Sequence, residues 1–304
     1  MQSANPNEST LVSHGDHFLE AEGIRFHYLV RGSGPLMIFQ SPGWGVSGGF
    51  LWNSLGPHIE KNNTVLYLEP RGNGQSSKPS DPATMTAKTM AEDLEHLRKH
   101  LQLEAFPILG GGSHSGAIVL RYAERYPHRV RKLILISSQT MDSPPNTHIT
   151  DWVVKRKDDP RFRPAMDKLM ELFAGKMPET DEQFAADFQV ILPYYFSDPG
   201  MADVLKRSLE KDADLPSVYG LQTNINDAKE ENKLPHVAEA GNVTAKTLIL
   251  WGAEDALCSL TAANALADGI PDSRLVVIPG AGHCSWIEKP DDFWKAFDAF
   301  VAAK

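Results

Sequence analysis

The stretch at residues 108–117 has the composition of a turn that presents a reactive serine. An apolar run leads through three glycines to Ser113, and an amphipathic stretch follows it. A serine on so sharp a strand-to-helix turn needs small residues two positions before and two positions after it, because its backbone is strained and the flanking chain crowds it. Gly111 and Ser115 supply those small residues. We therefore predict that Ser113 is a nucleophile.

This turn resembles the nucleophile elbow of the α/β-hydrolase superfamily, and its sequence GGSHSG resembles in particular the elbow of proline-iminopeptidase-like members. It departs from the usual G-x-S-x-G because Ser115 replaces the last glycine, which makes Ser115 the alternative nucleophile. Family members commonly carry a proline 14 residues after the nucleophile. Pro127 lies 14 residues after Ser113 but 12 residues after Ser115. This register favours Ser113.

A serine hydroxyl is a weak nucleophile at neutral pH and needs a base that a carboxylate orients. In the fold that the sequence resembles, the three residues follow the chain order serine, carboxylate, histidine. Two predicted strands end just before Asp255 and just before His283. The resemblance implies that His283 is the general base and acid and that Asp255 orients it. Glu254, and Asp142 after an earlier strand, are the alternative carboxylates.

Acyl transfer also needs N–H donors for the oxyanion that develops on the substrate. The backbone N–H of His114 is the first candidate, because it follows the nucleophile at the start of a helix. The loop QSPGWG resembles the family's H-G-x-G loop with Pro42 in place of the histidine. It implies Trp44 N–H as the second donor, with Gly43 and Gly45 as alternatives.

A further loop, EPRGNGQS at residues 69–76, is similar to the D-x-R-G-x-G-x-S loop that is common in the same superfamily. Its glycines are expected to shape a turn, and Arg71 is expected to anchor it. We predict a structural role for this loop.

The elements that would position these residues alternate between short apolar runs and amphipathic stretches. This alternation predicts an α/β fold with a mostly parallel sheet that helices cover on both faces, as in the α/β-hydrolase fold. The predicted strands are 24–30, 36–39, 65–68, 106–109, 133–136, 247–251 and 275–278, and the predicted helices include 90–103, 117–126, 260–267 and 291–303.

Residues 143–240 interrupt the alternation, because they contain helical patterns and prolines but no convincing strand. We predict a helical cap inserted into the hydrolase core, with core residues 1–142, cap residues 143–242 and core residues 243–304. Aromatic side chains of the cap are candidates for lining a substrate pocket. They are Trp152, Tyr194, Tyr195, Phe196 and Tyr219.

Composition excludes several classes of partner. The 304 residues include 30 basic and 39 acidic side chains, a net charge of −9, and no basic run of the kind that binds nucleic acid. No apolar stretch is long enough to span a membrane, and the first residues do not resemble a secretory leader. We therefore expect a cytoplasmic protein with a small-molecule substrate, and the sequence does not predict its oligomeric state.

Metal and cofactor chemistry find little support in the sequence. His96 and His100 share a helical face but lack the glutamate of H-E-x-x-H. Cys258 and Cys284 match no zinc spacing, and we expect both thiols to pack near the site. The glycines of the elbow fit neither of the nucleotide-binding patterns G-x-G-x-x-G and G-x-x-x-x-G-K-[ST]. We expect no metal and no cofactor.

The resemblance implies a serine hydrolase that cleaves a small-molecule carboxylic ester or lactone through an acyl-enzyme on Ser113. A serine nucleophile argues against the epoxide-hydrolase and dehalogenase branches, whose alkyl-enzyme ester requires a carboxylate. The alternatives are a proline-iminopeptidase-like aminopeptidase, a cofactor-free C–C hydrolase or lyase, and a ligand-binding receptor on the same fold.

Overall fold

The computed structural model describes residues 11–142, 156–210 and 215–303. Its strands lie within residues 15–136 and 246–278, on the two sides of a long stretch that contains helices. They are β1 (Gly15–Ala21), β2 (Ile24–Gly32), β3 (Leu36–Gln40), β4 (Thr64–Leu68), β5 (Phe106–Gly112), β6 (Val130–Ile136), β7 (Lys246–Gly252) and β8 (Ser273–Ile278).

Within the described residues these strands form one eight-stranded sheet in the order β1-β2-β4-β3-β5-β6-β7-β8. β1 pairs with β2, and β2 with β4, in antiparallel fashion, whereas every pairing from β4 to β8 is parallel. The predicted mostly parallel sheet is confirmed. β1 was not predicted, because Leu19 alone among its seven residues is fully buried and the strand therefore carries a weak apolar signal.

Helices occupy most of the connections between strands. The α-helices are α1 (Gly49–Trp52), α2 (Gly56–Ile59), α3 (Ala87–His100), α4 (His114–Arg125), α5 (Arg163–Phe173), α6 (Asp181–Ile191), α7 (Ala202–Leu209), α8 (Gln222–Asp227), α9 (His236–Glu239), α10 (Leu260–Gly269), α11 (Ser285–Glu288) and α12 (Pro290–Ala302). Short 3₁₀ helices span Pro82–Thr84, Pro127–Arg129, Leu192–Tyr195, Pro199–Met201, Val218–Leu221, Glu230–Asn232 and Ala240–Asn242. Among the described residues, every helix falls short of the length and apolar character needed to cross a bilayer.

The two faces of the sheet bury separate sets of side chains, as the pleat requires. In β6, Leu133 and Leu135 pack in a cluster with residues of α3 and α4. Ile134 and Ile136 point to the other face, where they pack with residues of α1 and α12. All four are at most 1% exposed, and burying each such side chain contributes about 1.5–3 kcal/mol. The central strands are therefore held from both sides.

Two helices, the one before β5 and the one after the elbow, begin earlier than the sequence predicted. α3 begins three residues before the predicted 90, because Thr86 Oγ1 accepts the N–H of Thr89 at 3.1 Å and caps the helix there. α4 begins three residues before the predicted 117, directly after Ser113. Ser113 thus stands at the junction of β5 and α4.

Between β6 and β7, the described residues 156–210 and 215–242 form helices and connecting turns, and we call them the inserted segment. Its side chains pack against the sheet domain in part through α6 and α7, whose residues Phe184, Phe188 and Leu205 join the same cluster as α1 and α12. The predicted division at 143 and 242 stays a prediction.

Candidate active site

Ser113 has a strained backbone. Its φ is 54° and its ψ is −127°, a conformation that residues other than glycine rarely adopt and that costs about 1–3 kcal/mol. Its N–H lies 3.0 Å from the carbonyl oxygen of Ile136 and 3.1 Å from that of Ser137, while its own carbonyl accepts the N–H groups of Gly116 and Gln139. These bonds hold the turn against the C-terminal end of β6.

The small residues around Ser113 are required by crowding. A Cβ on Gly111 would lie 2.5 Å from the carbonyl oxygen of Ser115. Ser115 is fully buried, and its Oγ donates to the carbonyl of Gly112 at 2.8 Å and accepts the N–H of Gly112 at 3.0 Å. The Ser115 hydroxyl therefore closes the turn on itself, whereas Ser113 lines the cavities described below.

His283 and Asp255 form a buried hydrogen-bonded pair. His283 Nδ1 donates to Asp255 Oδ2 at 2.9 Å, and the residues are 2% and 4% exposed. Asp255 Oδ1 accepts the N–H groups of Leu257 at 2.9 Å and Cys258 at 3.0 Å. With its Nδ1 proton donated to Asp255, the imidazole has its other nitrogen, Nε2, free to accept a proton.

The alternative carboxylates occupy other positions. Asp142 accepts the N–H of Val237 at 2.9 Å, at the start of α9. Glu254 is bonded through its backbone, since its N–H donates to the carbonyl of Ala281 at 2.8 Å. Of the three predicted carboxylates, the structure brings Asp255 to His283.

Ser113 and His283 both line two small cavities. The space between their walls, including the part that is open to solvent, is about 270 Å³ in one and about 220 Å³ in the other, and we call them the Trp286 cavity and the Trp44 cavity. Apart from His283, the described residues that line them carry no carboxylate, ammonium, guanidinium or imidazole group. Besides Ser113 and His283, the Trp286 cavity is lined by Phe50, Leu51, Leu55, Gly112, Ile136 and Trp286, and the Trp44 cavity by Pro42, Trp44, Val46, Phe50 and Tyr195.

The Pro42 loop, residues 41–48 between β3 and α1, presents three backbone N–H groups that the sequence offered as oxyanion donors. Gly43 N–H donates to His114 Nδ1 at 3.2 Å, and Gly45 N–H donates to Asn73 Oδ1 at 2.6 Å. The N–H groups of Trp44 and His114 have no acceptor among the described residues. Of the three loop candidates, Trp44 is therefore the one with a free N–H.

Tyr195 is the predicted cap aromatic that lies at the site. It lines the Trp44 cavity, and its carbonyl accepts the N–H of His283 at 2.8 Å. Its ring meets the His283 ring edge-on at 5.3 Å between centroids. Burial raises the pKa of the Tyr195 hydroxyl far above its usual range, so this hydroxyl stays protonated.

The other predicted cap aromatics that the structure describes do not line either cavity. Tyr194 packs under the Arg156 guanidinium, which lies 5.0 Å from its ring centroid. Phe196 is fully buried in the apolar cluster that also contains residues of α1 and α12. Tyr219 donates its hydroxyl to the carbonyl of Pro79 at 3.0 Å. Trp152 lies outside the described residues.

Sequence reasoning missed most of the cavity lining, which comes from the sheet domain. Phe50 lies in α1, and Trp286 lies in α11, three residues after His283. Their signal was present in the sequence, as an apolar run after the Pro42 loop and a tryptophan after the predicted base. The predicted anchor Arg71 is also in place: its Nε donates to Asp93 at 2.7 Å, which holds its loop on α3.

Cys258 contacts the same constellation. Its thiol lies beside the Ser113 side chain, and burial, reinforced by the Asp255 carboxylate, raises the pKa of the thiol well above its usual value. One donor atom each from Asp255, Cys258 and His283 lie within 4.8 Å of one another, close enough to approach a metal ion. The hydrogen bond between Asp255 and His283 accounts for the closeness of two of these three groups without a metal ion.

The His283 loop, residues 279–284, is fastened to the inserted segment by Glu288. One carboxylate oxygen of Glu288 accepts the N–H groups of Ser197 at 2.9 Å and Asp198 at 3.0 Å, and the other accepts the N–H of Gly282. Burial raises the pKa of Glu288 above its usual value. The segment therefore holds the residue next to His283 as well as His283 itself.

Comparison with known proteins places this chain in a family. Residues 35–290 match the family model of the alpha/beta hydrolase fold. The chain is 28% identical to a 2-hydroxymuconate semialdehyde hydrolase of Pseudomonas sp., over 93% of this chain and 92% of that one. It is 26% identical to the proline iminopeptidase PfmaB of Pestalotiopsis fici, over 90% and 95% of the two chains. An esterase from Exiguobacterium antarcticum shares the fold, with a TM-score of 0.68 over 96% of this chain and 100% of the esterase at 19% identity.

Proposed function

This chain belongs to the α/β-hydrolase family, and we propose that it is a serine hydrolase that cleaves a small carboxylic ester or lactone through an acyl-enzyme on Ser113. One observation carries the proposal. A serine in strained backbone lines the same two cavities as a histidine whose Nδ1 is bonded to a buried carboxylate. Nucleophile, base and orienting group are the three parts that acyl transfer requires.

In the proposed reaction, Ser113 Oγ attacks the carbonyl carbon while His283 Nε2 takes its proton. Asp255 stabilises the imidazolium that forms, and the N–H groups of His114 and Trp44 receive the oxyanion. His283 then gives the proton to the leaving alkoxide. Water attacks the acyl-enzyme in a second round with the same base, which releases the acid and regenerates Ser113.

The lining of the cavities supports a neutral, compact substrate. Aromatic and aliphatic side chains surround the reacting serine, and the space between them is small. A charged group on the substrate would lose its hydration there, and apart from His283 the described lining residues offer it no counter-ion. We assign one cavity to the acyl part and the other to the alcohol part.

Similarity to the semialdehyde hydrolase favours C–C bond hydrolysis as a second candidate, because it extends over nearly the whole of both chains. The substrate in that relative's name is an acid derivative, and an aminopeptidase substrate carries a terminal amine. Apart from the base His283, the described side chains that line the two cavities offer neither charge a partner. The neutral ester or lactone therefore fits this site better.

The test is covalent labelling with a fluorophosphonate probe, followed by intact mass and peptide mapping. We expect stoichiometric labelling at Ser113 and none in Ser113→Ala. Ser115→Gly is the matched control, because it restores the usual glycine at the elbow, and it should still be labelled at Ser113. Absence of labelling in folded wild-type protein would favour the receptor over the hydrolase.

Labelled protein is then assayed with p-nitrophenyl esters, simple lactones, a prolyl amide and a 2-hydroxy-6-oxo-dienoate. We expect kcat/KM to be highest for a short neutral ester or a lactone. Preference for the prolyl amide or the dienoate by 100-fold or more, on the order of 3 kcal/mol in transition-state binding, would replace the ester proposal with the corresponding alternative.

A further inference from the structure

The side chain of His114 holds the Pro42 loop. Its Nδ1 accepts the N–H of Gly43 at 3.2 Å, and its Nε2 lies 3.1 Å from Asp227 Oδ2. The other Asp227 oxygen, Oδ1, accepts the N–H of Ala87 at 3.0 Å, at the start of α3. His114 and Asp227 are only 2% and 7% exposed, so water does not substitute for these partners.

The direction of each hydrogen bond follows from the donors. Gly43 N–H can only donate, so His114 Nδ1 must be unprotonated. A carboxylate can only accept, so His114 Nε2 carries the proton and donates it to Asp227. Asp227 therefore fixes one neutral tautomer of His114, which is the tautomer that can hold Gly43.

The rest of the Pro42 loop is also held, which leaves Trp44 N–H free by arrangement. Thr223 Oγ1 donates to the carbonyl of Gly43 at 2.6 Å. The N–H of Ser217 donates to the carbonyl of Gly45 at 2.8 Å, while Asn73 accepts the N–H of Gly45. Both neighbours of Trp44 are thus fixed through N–H and through C=O.

We propose that the His114 side chain and Asp227 are positioning residues for the oxyanion hole. They act through Gly43 to place Trp44 N–H where the oxyanion forms, a geometry that must hold to within a few tenths of an ångström. This inference rests on the proposed function. His114 then serves twice, since its backbone N–H is one donor and its imidazole positions the other. The Pro42 loop has proline where the H-G-x-G pattern has histidine, and here the imidazole comes from the elbow instead.

The decisive variant is Asp227→Asn, which keeps shape and volume. The oxygen of the new amide would accept from Ala87, as Oδ1 does now, so its NH₂ group would face His114 Nε2. The amide would donate to Nε2 and drive the proton to Nδ1, where it meets Gly43 N–H donor to donor. We expect kcat on p-nitrophenyl butyrate to fall by about 10–100-fold with KM within about 3-fold, because transition-state binding is what is lost.

A matched control is Glu124→Gln. Glu124 is a buried carboxylate on α4, the helix that also carries His114, and its Oε1 lies 3.1 Å from His236 Nδ1. This pair holds α9 rather than the Pro42 loop. We expect its kcat per labelled active site to equal that of wild type. An equal loss of kcat in both variants would overturn the inference, because it would show a general cost of disturbing buried histidines.

Long-range ¹H–¹⁵N spectra of histidine-labelled protein give a readout that does not depend on activity. We expect the Nε2–H tautomer of His114 in wild type and the Nδ1–H tautomer in Asp227→Asn. A second variant, His114→Phe, should lower kcat similarly. A tautomer change without a change in kcat, or wild-type kcat in His114→Phe, would overturn the inference while leaving Ser113 labelling intact. Failure of wild type to label would instead refute the proposed function, and the tautomer would still test the pairing.

Discussion

Different chemistry holds the loops on the two sides of Ser113, although the inserted segment reaches both. On the base side, carboxylates do most of the holding: Asp255 orients His283, and Glu288 fastens Gly282 to Ser197. On the oxyanion side, hydroxyl, amide, backbone and imidazole groups contact residues 43–45 of the Pro42 loop, and carboxylates act farther away, Asp227 through His114 and Glu69 on the N–H of Gly48. The base side has to stabilise a positive charge during turnover, whereas the oxyanion side must keep N–H groups unpaired until a negative charge arrives.

Removing the base should have the largest effect. In His283→Ala nothing accepts the Ser113 proton, so we expect kcat/KM on the best ester to fall by about 10⁴-fold or more. The unfolding midpoint should be measured in parallel, because His283 also packs against Tyr195. A rate near that of wild type in folded variant protein would show that the base side is wrongly assigned.

Asp255→Asn is expected to come next. The amide oxygen would stay with the N–H groups of Leu257 and Cys258, so the NH₂ group would face His283 Nδ1 and disfavour the tautomer with Nδ1–H. We therefore expect a loss of about 10³–10⁴-fold in kcat. Asp142→Asn is the control, since Asp142 caps α9 and makes no hydrogen bond to His283. The reverse order of the two losses would transfer the orienting role to Asp142.

A smaller loss is expected on the oxyanion side from Thr223→Val. The change removes the hydroxyl that donates to Gly43 and leaves the shape of a buried side chain nearly unchanged. We expect kcat to fall by about 10-fold, less than the loss of a donor itself. Thr244→Val, which removes an exposed hydroxyl bonded to Pro127, should leave kcat unchanged. Equal kcat in both variants would mean that the loop holds its place without Thr223.

Glu288→Gln should affect catalysis least and stability most visibly. At neutral pH we expect kcat within about 3-fold of wild type and a loss of about 1–3 kcal/mol in unfolding free energy, because the amide NH₂ replaces an acceptor of backbone N–H groups. The titration of Glu288 makes this difference in unfolding free energy depend on pH. Since burial raises its pKa, the folded protein binds this proton more tightly than the unfolded chain does.

The sign of that pH dependence is fixed. Between the unfolded pKa of Glu288 and its raised folded pKa, its titration lowers the unfolding free energy of wild type as pH rises. Glu288→Gln lacks this titration, so the advantage of wild type should shrink as pH rises through that window. Denaturant unfolding at a series of pH values measures it. A growing advantage would mean that the N–H donors outweigh burial and lower the pKa.

Chain order and local pattern made much of the fold predictable, and they pointed to the residues that form the candidate site. Seven of the eight strands were visible as apolar runs, and Ser113, Asp255 and His283 each follow a strand. The support of the Pro42 loop was not predictable. Thr223 lies 180 residues from Gly43, and Asp227 lies 113 residues from His114, so no spacing in the sequence links them. The cap aromatics were assigned from composition, and composition does not tell which side chains face Ser113.

The reach of the inserted segment to both sides has a consequence for protein engineering. Exchanging a segment between relatives is a common way to change substrate preference, and it assumes that the segment is a separable cover. Here Tyr195, Ser217 and Thr223 supply hydrogen bonds to the residues beside Ser113, and Phe188 packs on the Trp44 ring. A grafted segment that changes the pocket lining but lacks these four contacts would displace the catalytic groups of the sheet domain. Substrate specificity and rate therefore cannot be exchanged independently in this chain.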